Sequence, residues 1–232
     1  MIKIALIVAG GKGMRMQSEI PKQFIEVVGK PLLMHTLETF VQYDAAIRLL
    51  VVLPEIEIEL WNALCIKHHF TIAHQVISGG ETRFHSVKNG LDCLLEDGLV
   101  AIHDGVRPLV SQDTIARCFD GAAKFGSAIP TIELVESLRC IEGTGSSKSV
   151  DRSAYRLVQT PQVFDITLLK NAYNQSFSPL FTDDASVVEA SGISVHLENG
   201  NRENIKITTP FDLQLAALLL SNPNVNKSTH ES

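Results

Sequence analysis

The sequence predicts an α/β domain, a mostly parallel sheet flanked by helices, and three observations point that way. Short aliphatic runs of strand length at residues 4–8, 48–53, 71–77 and 100–102 alternate with segments whose apolar residues recur at helical spacing. The chain has 232 residues, 45% of them hydrophobic, which is enough for one sizeable core. Glycine-rich or acidic turns follow several of the strands, and right-handed crossovers gather such turns along one sheet edge, where ligands bind. Residues 1–232 are therefore read as one domain carrying an inserted β-arm at about 134–159.

The first strand, residues 4–8, leads into Ala9-Gly10-Gly11-Lys12-Gly13-Met14-Arg15-Met16, with Pro21-Lys22-Gln23 close behind. Gly10, Gly11 and Gly13 let the backbone turn sharply and bring its N–H groups near a ligand. Met14 and Arg15 stand where a P-loop would have Lys-Ser/Thr, and Met16 where a dinucleotide fingerprint would have its third glycine. What is left is a strand, a glycine turn and the cations Arg15 and Lys22. That combination suits a triphosphate cradled by amides and offset by side-chain charge. A tight turn with solvated basic residues is the competing reading of the glycines alone.

Pro31 opens a helix presenting Leu33, Leu37, Phe40 and Val41. Residues 48–53 (RLLVVL) form a strand stopped by Pro54, and the next helix carries Ile56, Leu60 and Leu64 on one face. Residues 71–77 have strand composition. The turn Ser78-Gly79-Gly80-Glu81-Thr82-Arg83 then enters a helix with Val87, Leu91, Leu94 and Leu95. Its paired glycines would let main-chain groups read a base edge, and Ser86 reads equally as a helix cap or a base contact. The strand at 100–102 ends in His103-Asp104-Gly105-Val106-Arg107-Pro108. Asp104, an acid at a strand's C-terminal end, is placed to face a ligand or Mg²⁺, an ion that takes oxygen ligands. An Asx turn for Asp104 and a loop-packing ion pair for Arg107 are the alternatives, and His103 is read as structural.

Ser111 or Asp113 caps a helix running to Phe125, with Gly126 as its stop. Residues 128–132 form another strand. Between 134 and 159 the alternation breaks. Strand-like pieces at 134–141 and 154–159 flank Gly143-Thr144-Gly145-Ser146-Ser147-Lys148, which reads as a hairpin arm. Such an arm cannot bury both faces on its own domain, so a homodimer is expected. A helix over 165–173 follows, then another opened by Thr182 and Asp183 as N-cap residues. Strands at 194–197 and 204–209 and a helix over 211–220 complete the core, and the polar residues from 221 onward are expected to fray.

A net charge of −6 gives no support to nucleic-acid binding. Cys65, Cys93, Cys118 and Cys140 are widely spaced, which fits a reduced, cytoplasmic chain without zinc. The first strand starts too early to leave room for a signal peptide, and no apolar run is long enough for a bilayer, so no membrane partner is expected.

In their order, these motifs resemble the 2-C-methyl-D-erythritol 4-phosphate cytidylyltransferase family over nearly the whole chain. The resemblance rests on the glycine loop with Pro21-Lys22-Gln23, on Gly79-Gly80-Glu81 with Ser86, and on His103-Asp104-Gly105-Val106-Arg107-Pro108. It continues in Val150-Asp151-Arg152, Gln159-Thr160-Pro161-Gln162, Thr182-Asp183-Asp184-Ala185-Ser186 and Asn204-Ile205-Lys206. The resemblance implies a Rossmann-like core, a homodimer, and transfer of CMP from CTP to methylerythritol phosphate with Mg²⁺ and release of pyrophosphate. By motif, Ala9, Gly10, Gly11, Gly13, Gly80, Glu81 and Ser86 would hold the nucleotide, with Arg15 and Lys22 on its triphosphate. Asp104, Arg107, Ser137, Arg152, Thr160, Thr182 and Lys206 would surround the sugar phosphate, Ser137 and Arg152 reaching in from the partner subunit. Arg15, Lys22, Arg152 and Lys206 form the implied catalytic set, and Asp104 the implied metal ligand. Two departures stand out: Ser137 replaces a common threonine, and Gly105 replaces a frequent alanine, a change expected to be tolerated beside a close ligand. The attacking phosphate is already anionic, so no histidine is needed as a base. The alternatives are ribitol-5-phosphate cytidylyltransferase and a nucleotide-binding homologue without turnover.

Overall fold

A computed structural model describes residues 1–10, 20–143 and 145–222. β1 (Lys3–Val8) is followed by the two-stranded ribbon of β2 (Glu26–Val27) and β3 (Lys30–Pro31), then by α1 (Leu32–Tyr43) and β4 (Arg48–Leu53). Next come α2 (Ile58–Lys67), β5 (Gln75–Ser78), α3 (Arg83–Asp92), β6 (Leu99–Asp104), α4 (Gln112–Phe125) and β7 (Ser127–Glu133). The arm is β8 (Leu138–Glu142) and β9 (Ser146–Val150). The chain returns through β10 (Arg156–Val158), β11 (Gln162–Asp165), α5 (Ile166–Ala172), α6 (Asp184–Ala190), β12 (Leu197–Asn199) and α7 (Pro210–Ser221).

The main sheet runs β10-β7-β11-β6-β1-β4-β5, with β12 also paired to β7. β6, β1, β4 and β5 are mutually parallel, as helical crossovers between successive strands require. β11 is antiparallel to both β6 and β7, and β10 is antiparallel to β7. The sheet is thus mixed, parallel through its first half and antiparallel where the chain comes back from the arm. Successive residues of β1 face opposite layers. Ala5 and Ile7 meet Leu37, Phe40, Trp61 and Ile115 on one side, while Ile4 and Leu6 meet Val87, Leu91 and Leu169 on the other. Burial on both faces is why β1 and β4 are uninterrupted aliphatic runs. Of the two candidate caps for α4, Ser111 is the one used, its Oγ accepting the N–H of Thr114 at 3.1 Å, and Gly126 ends the helix at φ 81°.

Several expected elements differ. α2 buries Trp61 completely, stacked on Phe24, whereas Ile56 is 91% exposed and Leu60 42% exposed. The indole has the most area to remove from water, so the helix turns on Trp61. α3 stops at Asp92, so Leu95 leaves the helical register and is exposed while Leu94 is buried. The strand expected over 71–77 is confined to β5, and that expected over 194–197 lies later, in β12. In the arm, β8 pairs with β9, from Leu138↔Val150 to Glu142↔Ser146, turning at Gly143 and Gly145, both at positive φ. The piece expected to close the hairpin, 154–159, instead supplies β10, which finds its ladder on β7. Residues 204–209 form no strand; Ile207 N–H reaches the carbonyl of Val106, and side chains satisfy much of the rest.

Candidate active site

The turns after β1, β5 and β6 come together at one edge of the parallel half. Ala9 N–H extends the ladder to the carbonyl of Val52 at 2.9 Å, and Gly10 follows it. Gly11, Gly13 and Arg15 lie outside the described residues. Lys22 sits in a 3-10 turn held from both following residues: Gln23 donates to Glu57, and Phe24 stacks on Trp61. A cavity of about 290 Å³ takes in Ala9, Gly10 and Lys22 from this side and Gly80, Glu81 and Ser86 from the turn after β5. A Cβ at Gly80 would lie 2.4 Å from that of His85, so only glycine fits this close turn. Thr82 caps α3, while the Ser86 hydroxyl accepts the Gly80 N–H at 3.0 Å. Ser86 therefore shapes the loop rather than capping the helix.

A second cavity of about 290 Å³ lies beside the first and includes Arg107, Thr160, Gln162 and Thr182. Arg83, Asp104 and Lys206 belong to both. Asp104 ends β6 with its Oδ2 3.0 Å from Arg107 Nε and 3.1 Å from Lys206 Nζ. Burial works against its charge, but Lys206, Arg83 and Arg107 together hold the carboxyl well below the usual carboxylate range. Arg107 donates to the carbonyl of Asn204 at 2.7 Å, and Asn204 Nδ2 donates to that of Thr160 at 2.8 Å. The segment bearing Lys206 is thereby fixed without belonging to the sheet. Thr160 precedes a cis bond to Pro161. Its hydroxyl accepts the Asp104 N–H at 3.1 Å and lies 3.0 Å from His103 Nδ1.

His103 is fully buried, and that burial pushes its pKa down to about 4. The ring is neutral, so Nε2–H donates to the carbonyl of Arg107 at 3.0 Å and Nδ1 accepts from Thr160. It is structural, as expected. Gly105 touches protein where a ligand was expected: a Cβ there would lie 2.8 Å from that of Ala9 and 3.1 Å from Leu33 Cδ1.

Asp183 caps α6 in a capping box with Ser186, and Thr182 stands one residue outside it, so the cap is Asp183 alone. Ser137 and Arg152 are exposed and line neither cavity; Arg152 donates to the carbonyl of Val135. Among the described residues no cluster of three His, Cys, Asp or Glu side chains forms a metal centre. Arg83 and Gln162 carry no role in the sequence reading. Arg83 forks onto the buried Asp184 at 2.9 and 2.6 Å, held above the ordinary guanidinium pKa by that carboxylate against the opposing pull of burial. The signal for it is the acid pair Asp183-Asp184, of which only one is needed as a cap.

A sheet edge that combines glycine turns, clustered cations and two adjoining cavities is the kind of site a nucleotidyltransferase uses. Residues 3–222 match the family model described as "IspD: 2-C-methyl-D-erythritol 4-phosphate cytidylyltransferase", and the chain belongs to that family. The enzyme of that name from Bacteroides thetaiotaomicron is 57% identical over 215 residues, covering 93% of this chain and 98% of the relative. A crystal structure of 4-diphosphocytidyl-2C-methyl-D-erythritol synthase from Anaerococcus prevotii superimposes with a TM-score of 0.80 at 27% identity, over 95% and 96% of the two chains. That of the Thermus thermophilus cytidylyltransferase gives 0.76 at 32%, over 95% and 100%. The Rossmann-like fold and the cytidylyltransferase activity are those of this family.

Proposed function

We propose that the chain carries out the family's reaction by seating CTP in the cavity beside β1 and methylerythritol phosphate in the cavity beside Thr160. The observation that supports this is the adjacency of two spaces that share Arg83, Asp104 and Lys206. An oxygen of the acceptor phosphate attacks the α-phosphorus in line, and pyrophosphate leaves. Such a transfer depends on positioning and charge stabilisation rather than covalent catalysis. Lys22, joined by Arg15, offsets the charge gathering on the α-phosphate and the leaving group. Lys206 and Arg107 receive the acceptor phosphate, while Asp104 keeps both cations oriented and, with Thr160 and Thr182, meets the polyol. The acceptor arrives ionised, so no base is required, and neutral His103 has both ring nitrogens engaged.

One carboxylate already shared by two cations fits Mg²⁺ carried in on the triphosphate rather than caged by side chains. When bound, the ion would neutralise phosphate charge, and Asp104 is the residue that would hold it. Ser137 and Arg152 do not reach the cavities of their own chain, which supports a homodimer whose partner arm supplies them. The four unpaired cysteines suit the cytoplasm, and no helix among the described residues is long and apolar enough to cross a membrane.

Pyrophosphate release measured with each of the four nucleoside triphosphates, and with methylerythritol phosphate or ribitol 5-phosphate as acceptor, tests the reading. Turnover confined to CTP and methylerythritol phosphate is expected. Equal turnover with ribitol 5-phosphate would overturn the acceptor, and none with any pair would overturn the activity.

A further inference from the structure

Arg83 and Asp184 are 101 residues apart, yet each is the first residue of its helix, α3 and α6. The guanidinium meets both carboxylate oxygens, and Tyr173 O–H adds a third bond to the same carboxylate at 2.6 Å. Asp184 is fully buried, while Arg83 keeps 29% of its side chain open toward the two cavities it lines. Gln162 Nε2 donates to Asp183 at 2.7 Å, and its Oε1 accepts the Ala185 N–H at 2.9 Å, tying α6 to β11. Next to Arg83, Phe84 stacks on Tyr173 with ring centroids 4.7 Å apart and on Phe181 at 5.7 Å.

Each helix carries one side of the reaction. Three residues into α3, Ser86 holds the Gly80 turn of the nucleotide cavity. At the start of α6, Ser186 accepts the N–H of Thr182 at 3.1 Å and so sets that residue of the acceptor cavity. In-line transfer needs its reacting atoms in near-attack geometry, and a misplacement of about 1 Å costs about 10²-fold in rate.

We propose that the Arg83–Asp184 pair is a positioning clamp, fixing the nucleotide turn against the acceptor-side helix so that the two phosphates meet in line. Arg83 is the positioning residue, and the clamp rests on the assignment of the two cavities made above. The two-pronged fork is what sets the distance, and lysine, with a single ammonium, cannot reproduce it. Charge alone is replaceable, because an apolar pair of similar volume often keeps a fold intact where a buried ion pair is removed.

The test compares the full-length Arg83→Met/Asp184→Leu double variant, Arg83→Lys, Asp184→Asn and Lys22→Ala with the wild type. Thermal melts are read beside kcat and both KM values from pyrophosphate release. The expected result is a folded double variant whose kcat falls about 30-fold or more, with each KM within about threefold. Arg83→Lys stays slow although it keeps the charge. A kcat within about threefold of wild type in the folded double variant or in Arg83→Lys overturns the clamp, as does a loss carried by KM alone. If the double variant fails to fold, Arg83→Lys and Asp184→Asn decide the matter by the same criteria. Lys22→Ala separates the two levels: if it is unimpaired, the cavity assignment and the clamp both fall. If it is slow beside a fast double variant, the clamp alone falls.

Discussion

Asp104, at the end of β6, is bonded to Arg107, Lys206 and Thr160, and every one of those contacts comes from its own chain. Arg152, at the base of the arm, is exposed and donates to the carbonyl of Val135, away from both cavities. The sheet edge is cross-linked and buried, whereas β8 and β9 are held mainly by their own ladder and expose nearly every side chain. The contrast teaches that charge can be pre-arranged within one chain where a sheet supports it. A two-stranded arm lacks that support and gains it only against another surface.

The contrast breaks most sharply at Asp104. Replacing it with Asn leaves Lys206 and Arg107 facing each other without their counter-charge. A loss of about 3 kcal/mol is expected, the low end for a broken buried pair because Lys206 is partly solvated. Chemical denaturation at pH 7.5 measures it, and an unchanged midpoint would show that the cluster is not cross-linked as described. His103 gives the second largest effect. Its pKa is depressed in the fold, so its contribution is complete above about pH 6.5 and lost as pH falls toward about 4. Wild type should lose up to about 3 kcal/mol across that interval, and His103→Gln should lose much less. Asp104 is also depressed, so its own contribution goes only below the ordinary carboxylate range.

At the cavity beside β1, Lys22→Ala should lower kcat by about 10²-fold or more with the fold retained. Near-normal turnover would remove Lys22 from the chemistry. The arm sharpens the comparison with the smallest effect: Arg152→Ala should reduce kcat/KM for the sugar phosphate about tenfold, the loss of one charge-assisted contact. Mixing unfolded Arg152→Ala and Lys22→Ala chains and refolding them together should then restore about a quarter of wild-type activity. Half of the dimers would be mixed, and each would hold one intact site. No recovery would place Arg152 in its own chain's site.

What could be read in advance follows from where the controlling contacts lie. β1, β4 and α4 were legible because their signals are local: aliphatic runs buried on both faces, a serine cap and a glycine stop. The face of α2 was not, since its orientation depends on Phe24 and His74 meeting Trp61 from outside the helix. Nor was the partner of 154–159, because the free edge of β7 that captures it lies outside the arm's own spacing. Within the site, the turns at Ala9, Gly80 and Asp104 announced themselves by composition. Arg83 did not, because its significance lies in Asp184 about a hundred residues away and in the wall it forms between two cavities.

Lys206 reaches Asp104 from a stretch that owns no strand and hangs on Asn204, Ile207 and the helix behind them. During synthesis, then, the strands and the Gly80 turn emerge before the ammonium that faces both cavities. A polypeptide ending short of residue 206 would lack one of the two cations that face Asp104, in a corner common to both cavities.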